Sequence, residues 1–558
     1  MTDNIWRSLC QDKKKRQEES IPKDWIVRLP SEAQLNVTDF PRESELLTTF
    51  ELEITETNVE VLLAKLASST WSSVDVTRAF YKRAILAHQV VNCLTEIFVE
   101  QALNRAAMLD AHLKSTGQVI GPLHGLPISL KDQLAIKGLE NIVGYVSWVG
   151  KYAERDATLV EILYEQGAVP FVRTNVPQTL MWAETFNHVF GRTLNPYNRS
   201  LSCGGSSGGE GALIGMHGSP LGVGSDIGGS IRIPSAFNGL YGLRPSFNRI
   251  PFRGAPNSLE GQDSLPPVMG PISYSMSGIK IFMKAIIDAK PWRKDALMVR
   301  KPWDQQSYEL VEHGNGKKLV FAIMWNDELV IPHPPIHRAL EMTRDALVAA
   351  GHKVINWKPF RHEELLSVAR SICMAGGTEE FATIAALTGE PILSTMSLDQ
   401  NTPPHPDSPP APLSAYALWQ VQKRRRDLRQ QHLDHWEATV NVTDTGRPVD
   451  AIISPVAPFT APPHGKYLTA NYSMIWNSLD YPALAFPVTA VDPVLDPPNA
   501  AHSFISEKDK ANYELYKPEI YKDAPVGLQV VGRTQEEEAV IRMGEIIDKA
   551  LKLQKNAL

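Results

Sequence analysis

Between Leu201 and Arg244 the chain reads LSCGGSSGGEGALIGMHGSPLGVGSDIGGSIRIPSAFNGLYGLR. Glycine is too dense here for helix or strand throughout. Glycines let backbone N–H groups approach a ligand and take positive φ. Several N–H groups converging in one turn form an anion cradle. Serines inside such a turn are candidate nucleophiles, and three stand out: Ser206, Ser207 and Ser230. Serine attacks a carbonyl carbon only once a base takes its proton.

Three chemistries compete for this stretch. Phosphate binding would need G-x-x-x-x-G-K-[ST], which does not occur. The dinucleotide fingerprint fails as well, because after Gly222 and Gly224 the third glycine would fall on Ile227. A nucleophile elbow, G-x-S-x-G, fits both Gly204–Gly208 and Gly205–Gly209. An elbow needs a strand directly before it, and NPYNRSLSC is not strand-like. The third chemistry is a serine–lysine system in which the glycines supply an oxyanion hole. A lysine is a base only when neutral, and burial away from acids lowers its pKa toward that range. Upstream, HGLPISLKDQ offers Lys131. Local sequence alone also allows a surface lysine at a strand end, paired with Asp132. The glycine–serine stretch by itself does not choose among its three serines.

CGGSSGGEGALI, then GSDIGGSIRIPSAFNGLYGLRPS, with HGLPISLKDQ upstream, resembles the amidase signature family. The spacing agrees: 75 residues separate Lys131 from Ser206, and 24 separate Ser206 from Ser230. The similarity runs from about residue 58 to the last helix. Within the family the chain resembles fungal acetamidases above all, and is also similar to fatty-acid amide hydrolases. The resemblance implies an α/β amidase signature fold, a large mixed twisted β-sheet covered by helices on both faces. It implies hydrolysis of a carboxylic amide to acid and ammonia or amine through an acyl-enzyme, with no cofactor and no metal. Ser230 is then the nucleophile, Ser206, after a cis peptide at Gly205, the bridge, and Lys131 the base. The oxyanion hole falls to the N–H groups of Ile227, Gly228, Gly229 and Ser230. Leu180 and Met181 are carried over to the substrate pocket, with Trp182 and Tyr145 as neighbours; ordinary core packing is the alternative for all four. Asp226 and Arg232 read as a buried pair bracing the turn, and Ser207 as a turn residue or an aid to Lys131.

Short aliphatic amides are the first substrate reading. Longer-chain or aryl amides, carbamates and acyl transfer are the alternatives. Two other classes are carried: a transamidation-complex subunit acting on charged tRNA, and a binding-only protein. A long arm and extra loops suit a free-standing enzyme better than a subunit.

The elements that must hold these residues alternate. Leu126–Leu130 reads as a strand running into Lys131, Asp156–Gln166 as a helix and Val169–Arg173 as a strand. Further on come a strand at Lys317–Trp325, a helix at Pro335–Ala350, and strands at Ala451–Pro455 and Val526–Val531. The last helix begins at a capping box, Thr534-x-x-Glu537, and carries Val540, Met543, Ile547 and Ala550 on one face. Near-continuously apolar strands between helices argue for a sheet covered on both faces. From Asn58 to about Ser115 the pattern is helical, with Val59, Leu62, Leu63 and Leu66 at core spacing. Residues 1–57 read as an N-terminal arm, with Lys13–Arg16 as a solvated helix face, and residues 58–558 as the amidase signature domain. Residues 402–413 are proline-rich, and 492–524 look like a polar surface excursion.

Bulk properties narrow the partners. The 558 residues carry a formal net charge of −6, which argues against a broad footprint for nucleic acid or anionic membrane. The four cysteines (Cys10, Cys93, Cys203, Cys373) form no C-x-x-C pair and read as thiols of a reducing compartment. The N-terminal residues have no apolar run of signal type, and no stretch approaches a membrane span. A cytoplasmic enzyme acting on a small amide is expected, without nucleic acid or a transmembrane segment; a homodimer is admitted. The fifteen histidines show no close metal-binding spacing.

Overall fold

The run LPISL lies inside a wide mixed sheet in the computed structural model, which describes residues 5–396 and 411–557. In chain order its strands are β1 (Leu94–Ile97), β2 (Pro127–Lys131), β3 (Val169–Thr174), the short hairpin β4 (Phe186–Asn187) and β5 (Gly191–Arg192), β6 (Leu221–Asp226), β7 (Tyr241–Arg244), β8 (Val268–Ser273), β9 (Val320–Ile323), β10 (Lys353–Asn356), β11 (Ala451–Pro455), β12 (Ala483–Ala490) and β13 (Pro525–Val531). Eleven of them form one sheet in the order β1-β3-β2-β6-β8-β7-β12-β13-β11-β9-β10, and the hairpin stands apart. β2 runs parallel to β3 and β6; β8 pairs antiparallel with β6. The fold class is therefore α/β, with a mixed sheet flanked by helices, as expected.

The core strands are apolar on both faces because helices cover both. Ile128, Leu130, Val169, Val172, Val223 and Val530 are fully buried, each such side chain contributing about 1.5–3 kcal/mol. Against that background a buried Lys131 at the end of β2 is an exception that needs a reason. β2 and β6 are parallel neighbours, so the end of β2 and the turn that leaves β6 at Asp226 come together at the C-terminal ends of these two strands.

Several expectations need correction. The helical stretch from Asn58 to Ser115 is cut by β1: Val59–Ala67, Ser73–Val91 and Val99–Thr116 are separate helices. Asn92, in the left-handed region at φ 53°, ends the second and turns the chain into the strand. The Lys13–Arg16 run is not a solvated face. Lys13 is buried between Glu96 (2.5 Å) and Glu140 (2.6 Å), and Arg16 also binds Glu140 at 2.7 Å. The charges bind the helix Ile5–Glu19 to the body. The capping box at the last helix does not form, because the Glu537 carboxylate accepts from Ser246 N–H and Arg249 instead. Residues 492–524 are more than a surface excursion. They contain the helix Glu507–Leu515 and buried anchors, among them Asp496, which pairs with Arg338, and Tyr521. Most of the proline-rich stretch 402–413 lies outside the described residues. Among the described residues no helix is long and apolar enough to cross a membrane.

Candidate active site

Lys131 ends β2 with its side chain wholly buried. Its Nζ donates to Ser206 Oγ at 2.8 Å and to Ser225 Oγ at 2.8 Å. Ser225 in turn donates to Gln133 Oε1 at 2.6 Å. Burial lowers Lys131 from 10.5 to about 7, against the fields of Asp226 and Glu210, which favour the ammonium. Near neutral pH a large share of this lysine is therefore unprotonated and can accept a proton. The neighbouring Asp132 does not hold it charged: its Oδ1 faces the Arg173 guanidinium at 3.3 Å, also fully buried.

Ser206 follows a cis Gly205–Ser206 peptide bond. The helix Gly208–Gly215 starts two residues later. Ser207 lies in the turn: its N–H donates to the Ser230 carbonyl at 3.2 Å, and Ser225 N–H donates to its Oγ at 3.3 Å. This bond places Ser230 next to Ser206. Lys131, Ser206 and Ser230, from three separated motifs, thus meet at the ends of two parallel neighbouring strands.

The turn Asp226–Ser230 is held from behind. Arg232 donates to both Asp226 carboxylate oxygens, each at 3.0 Å, and both residues are fully buried. Burial works against the Asp226 charge, but Arg232 and Asn477 outweigh it and hold the carboxyl well below the usual range. The guanidinium also donates to Ser473 O, Asn477 Oδ1 and Gln529 Oε1. Ser473 Oγ donates to Gly228 O at 2.6 Å. Gly229 sits at φ +131°, and a Cβ there would lie 2.4 Å from Ser473 Oγ, so only glycine fits.

The four candidate oxyanion donors are not equivalent. Gly229 N–H donates to Asp226 Oδ1 at 2.8 Å. Its part is to close the turn. The N–H groups of Ile227, Gly228 and Ser230 have no intramolecular acceptor among the described residues. Beside Gly228 there is open space: a Cβ there would meet only Met474, at 3.9 Å.

The pocket candidates divide. Tyr145 and Leu180 are buried in one apolar cluster with Val143, Val176 and Phe381, and Met181 and Leu259 pack against it. Tyr145 shares a hydrogen bond with Ser258, Oη to Oγ at 2.8 Å. Met181 and Leu259 also border the larger cluster that Ile227 and Met474 flank. Trp182 is half-buried.

Sequence reasoning missed Ser225 and Gln133, although both stand inside the quoted motifs. Gln133 sits in the turn that follows β2, where its N–H and that of Leu134 both donate to Lys131 O, a geometry that the spacing alone does not mark. It also missed Ser473, Asn477 and Gln529. These come from the helix Asn471–Leu479 and from β13, some 240 to 300 residues away, and nothing local marks them.

A buried lysine, two serines and a glycine turn thus stand together at the ends of two neighbouring strands. A family model described as Amidase matches residues 75–541, and the chain belongs to the amidase signature family, an amide-hydrolysing enzyme. It is 41% identical over 553 residues to an acetamidase of Aspergillus oryzae, across 99% of this chain and 100% of that protein. An acetamidase of Emericella nidulans is 40% identical, with 98% of each chain covered. Among solved structures, a fatty acid amide hydrolase superposes with a TM-score of 0.90 at 33% identity, covering 99% of this chain and 96% of that one.

Proposed function

We propose that the protein hydrolyses short aliphatic amides through a Ser230–Ser206–Lys131 relay and an acyl-enzyme. The observation that carries this is the buried Lys131 Nζ 2.8 Å from Ser206 Oγ, in the turn beside Ser230. Neutral Lys131 draws the Ser206 proton as Ser206 draws that of Ser230. Ser230 Oγ then bonds to the amide carbon. The oxygen that gains charge turns toward the N–H groups of Ile227, Gly228 and Ser230, donors worth about 10²–10³ each in rate. As the C–N bond breaks, the relay returns the proton to the nitrogen, which leaves as ammonia or amine. Water attacks the acyl-enzyme by the same relay, and the acid departs.

The short-chain preference rests on the full-length likeness to acetamidases. We place Met181, Leu180 and Tyr145 at the acyl end, with Trp182 further out. A second reading, longer acyl chains, is favoured by the TM-score of 0.90 to a fatty acid amide hydrolase. We take residues 58–558 as one domain and 1–57 as its arm. We further place the enzyme in the cytoplasm, a reading supported by four buried free thiols. The test is ammonia release from a panel of linear amides graded by acyl length. Highest kcat/KM on acetamide and propionamide is expected; a maximum at eight carbons or more would replace the short-chain reading with the second one.

A further inference from the structure

Lys131 has a second buried acidic neighbour besides Asp226. Glu210 lies in the first turn of the helix Gly208–Gly215 and is fully buried. Its carboxyl reaches across three strands. Ser129 Oγ on β2 lies 2.5 Å from Oε2, and Thr174 Oγ1 on β3 lies 2.9 Å from Oε1. On β6 it lies flat against Gly222, where a Cβ would stand 1.9 Å from Oε2. Among the described residues no cation forms an ion pair with it. Asp226, by contrast, has Arg232.

The geometry couples this carboxyl to the base. Ser129 and Lys131 alternate along β2, so their side chains leave the same face of the sheet, toward the helix that carries Glu210. The groups around Lys131 are Ser206 in the turn, Ser225 and Asp226 on β6, and Glu210 on the helix. Asp132, just past the end of β2, faces Arg173. Around Glu210 stand Ser129, Thr174, Lys131 and the Cys93 thiol. Burial pushes Glu210 up to about 8, close to the value of Lys131. Two such neighbours titrate as a pair. With Glu210 protonated, one of its two hydroxyl contacts runs from the carboxyl to the serine or threonine, and Lys131 is free to be neutral. With the proton moved to the lysine, the pair is an ammonium and a carboxylate, and the base is lost without any change in net charge.

We infer that Glu210 is a positioning residue for the base: it ties the Ser206 helix to β2 and β3, and its charge sets how much Lys131 is neutral. This rests on Lys131 being the base. Only neutral lysine activates Ser230, so reactivity rises with pH through the lysine transition. A carboxylate at 210 holds the proton on Lys131 and moves that rise to higher pH. Removing the charge moves it down.

The experiment measures the second-order rate of labelling by a serine-directed fluorophosphonate against pH, which needs no knowledge of the substrate. Wild type, Glu210→Gln and Lys131→Met are compared as purified full-length chains. In Glu210→Gln the midpoint of the acid limb is expected to fall by about half a pH unit or more, the difference lying at and above the midpoint, where part of Glu210 is ionised in wild type, and closing toward lower pH, where both carry a neutral group at 210. An acid limb that stays in place or rises overturns the inference. Lys131→Met separates the two failures: a limb that persists there removes Lys131 as base. A limb lost there but unmoved in Glu210→Gln removes only the role of Glu210. If circular dichroism shows Glu210→Gln unfolded, Thr174→Val takes its place. Losing that donor favours the protonated carboxyl, so the limb again moves down, and an unmoved limb again overturns the inference.

Discussion

The catalytic centre and the apolar wall formed by the cluster of Tyr145 and Leu180 are built in opposite ways. The proposed centre lies largely in turns anchored between β2, β6 and two helices, and is held by directed polar contacts. Asp226 alone accepts from Arg232, Asn477 and the N–H groups of Gly229 and Ile231. The wall stands on connecting segments and is held by apolar contact. Three of its residues sit in the left-handed region without being glycine: Val143 (φ 52°), Leu180 (63°) and Leu259 (63°). For a β-branched residue such as Val143 this conformation is strained by about 1–3 kcal/mol. It persists because Val143 is fully buried in the cluster with Tyr145 and Leu180. On the proposed function, chemistry rests on a frame with one geometry, and selectivity on segments that packing forces into shape.

The contrast can be broken at its polar side first. Ser230→Ala should abolish turnover, a loss of at least about 10³-fold in kcat, with the circular dichroism spectrum retained. Near-normal ammonia release would end the proposed mechanism. Lys131→Ala should lose about 10²–10⁴-fold. In wild type, kcat/KM should fall as pH drops below about 7, because protonated Lys131 cannot accept a proton; the residual activity of the variant should lack that limb. Asp226→Asn leaves Arg232 buried without its counter-charge, and should cost about 3–5 kcal/mol in urea unfolding. Stability within about 1 kcal/mol of wild type would contradict a bracing role.

The apolar side should answer differently. Met181→Ala should raise kcat/KM for butyramide relative to acetamide by about 10-fold, the order expected when a pocket gains a methylene or two of room. Fluorophosphonate labelling of Ser230 should keep its rate. An unchanged acyl preference would put the pocket elsewhere. The smallest effect concerns strain. Val143→Gly exchanges about 2 kcal/mol of burial for relief of similar size, so its thermal midpoint should move by no more than about 2 °C. Val172→Gly, in β3 and equally buried, has no strain to relieve and should fall several-fold further. Equal falls would refute the strain.

The reach of the sequence follows the same division. GGSSGG, DIGGS and SLK stand in order at family spacing, and each is local enough that a few residues define its turn or strand end. Lys131, Ser206 and Ser230 could be named on that basis, and so could a sheet of apolar strands between helices. Asp226 with Arg232 was legible too, since six residues separate them. Other features were not. Lys13 looked like a solvent charge, because its acidic partners Glu96 and Glu140 lie more than 80 residues on. Glu537 looked like a helix cap, because Arg249 is 288 residues back. Gly229 looked like an oxyanion donor, because only folded geometry aims its N–H at Asp226. Above all, how far Lys131 can lose its proton depends on burial, set against the buried acids Asp226 and Glu210. Sequence order names the residues that meet in a motif; desolvation and long-range partners, which exist only after folding, decide their protonation.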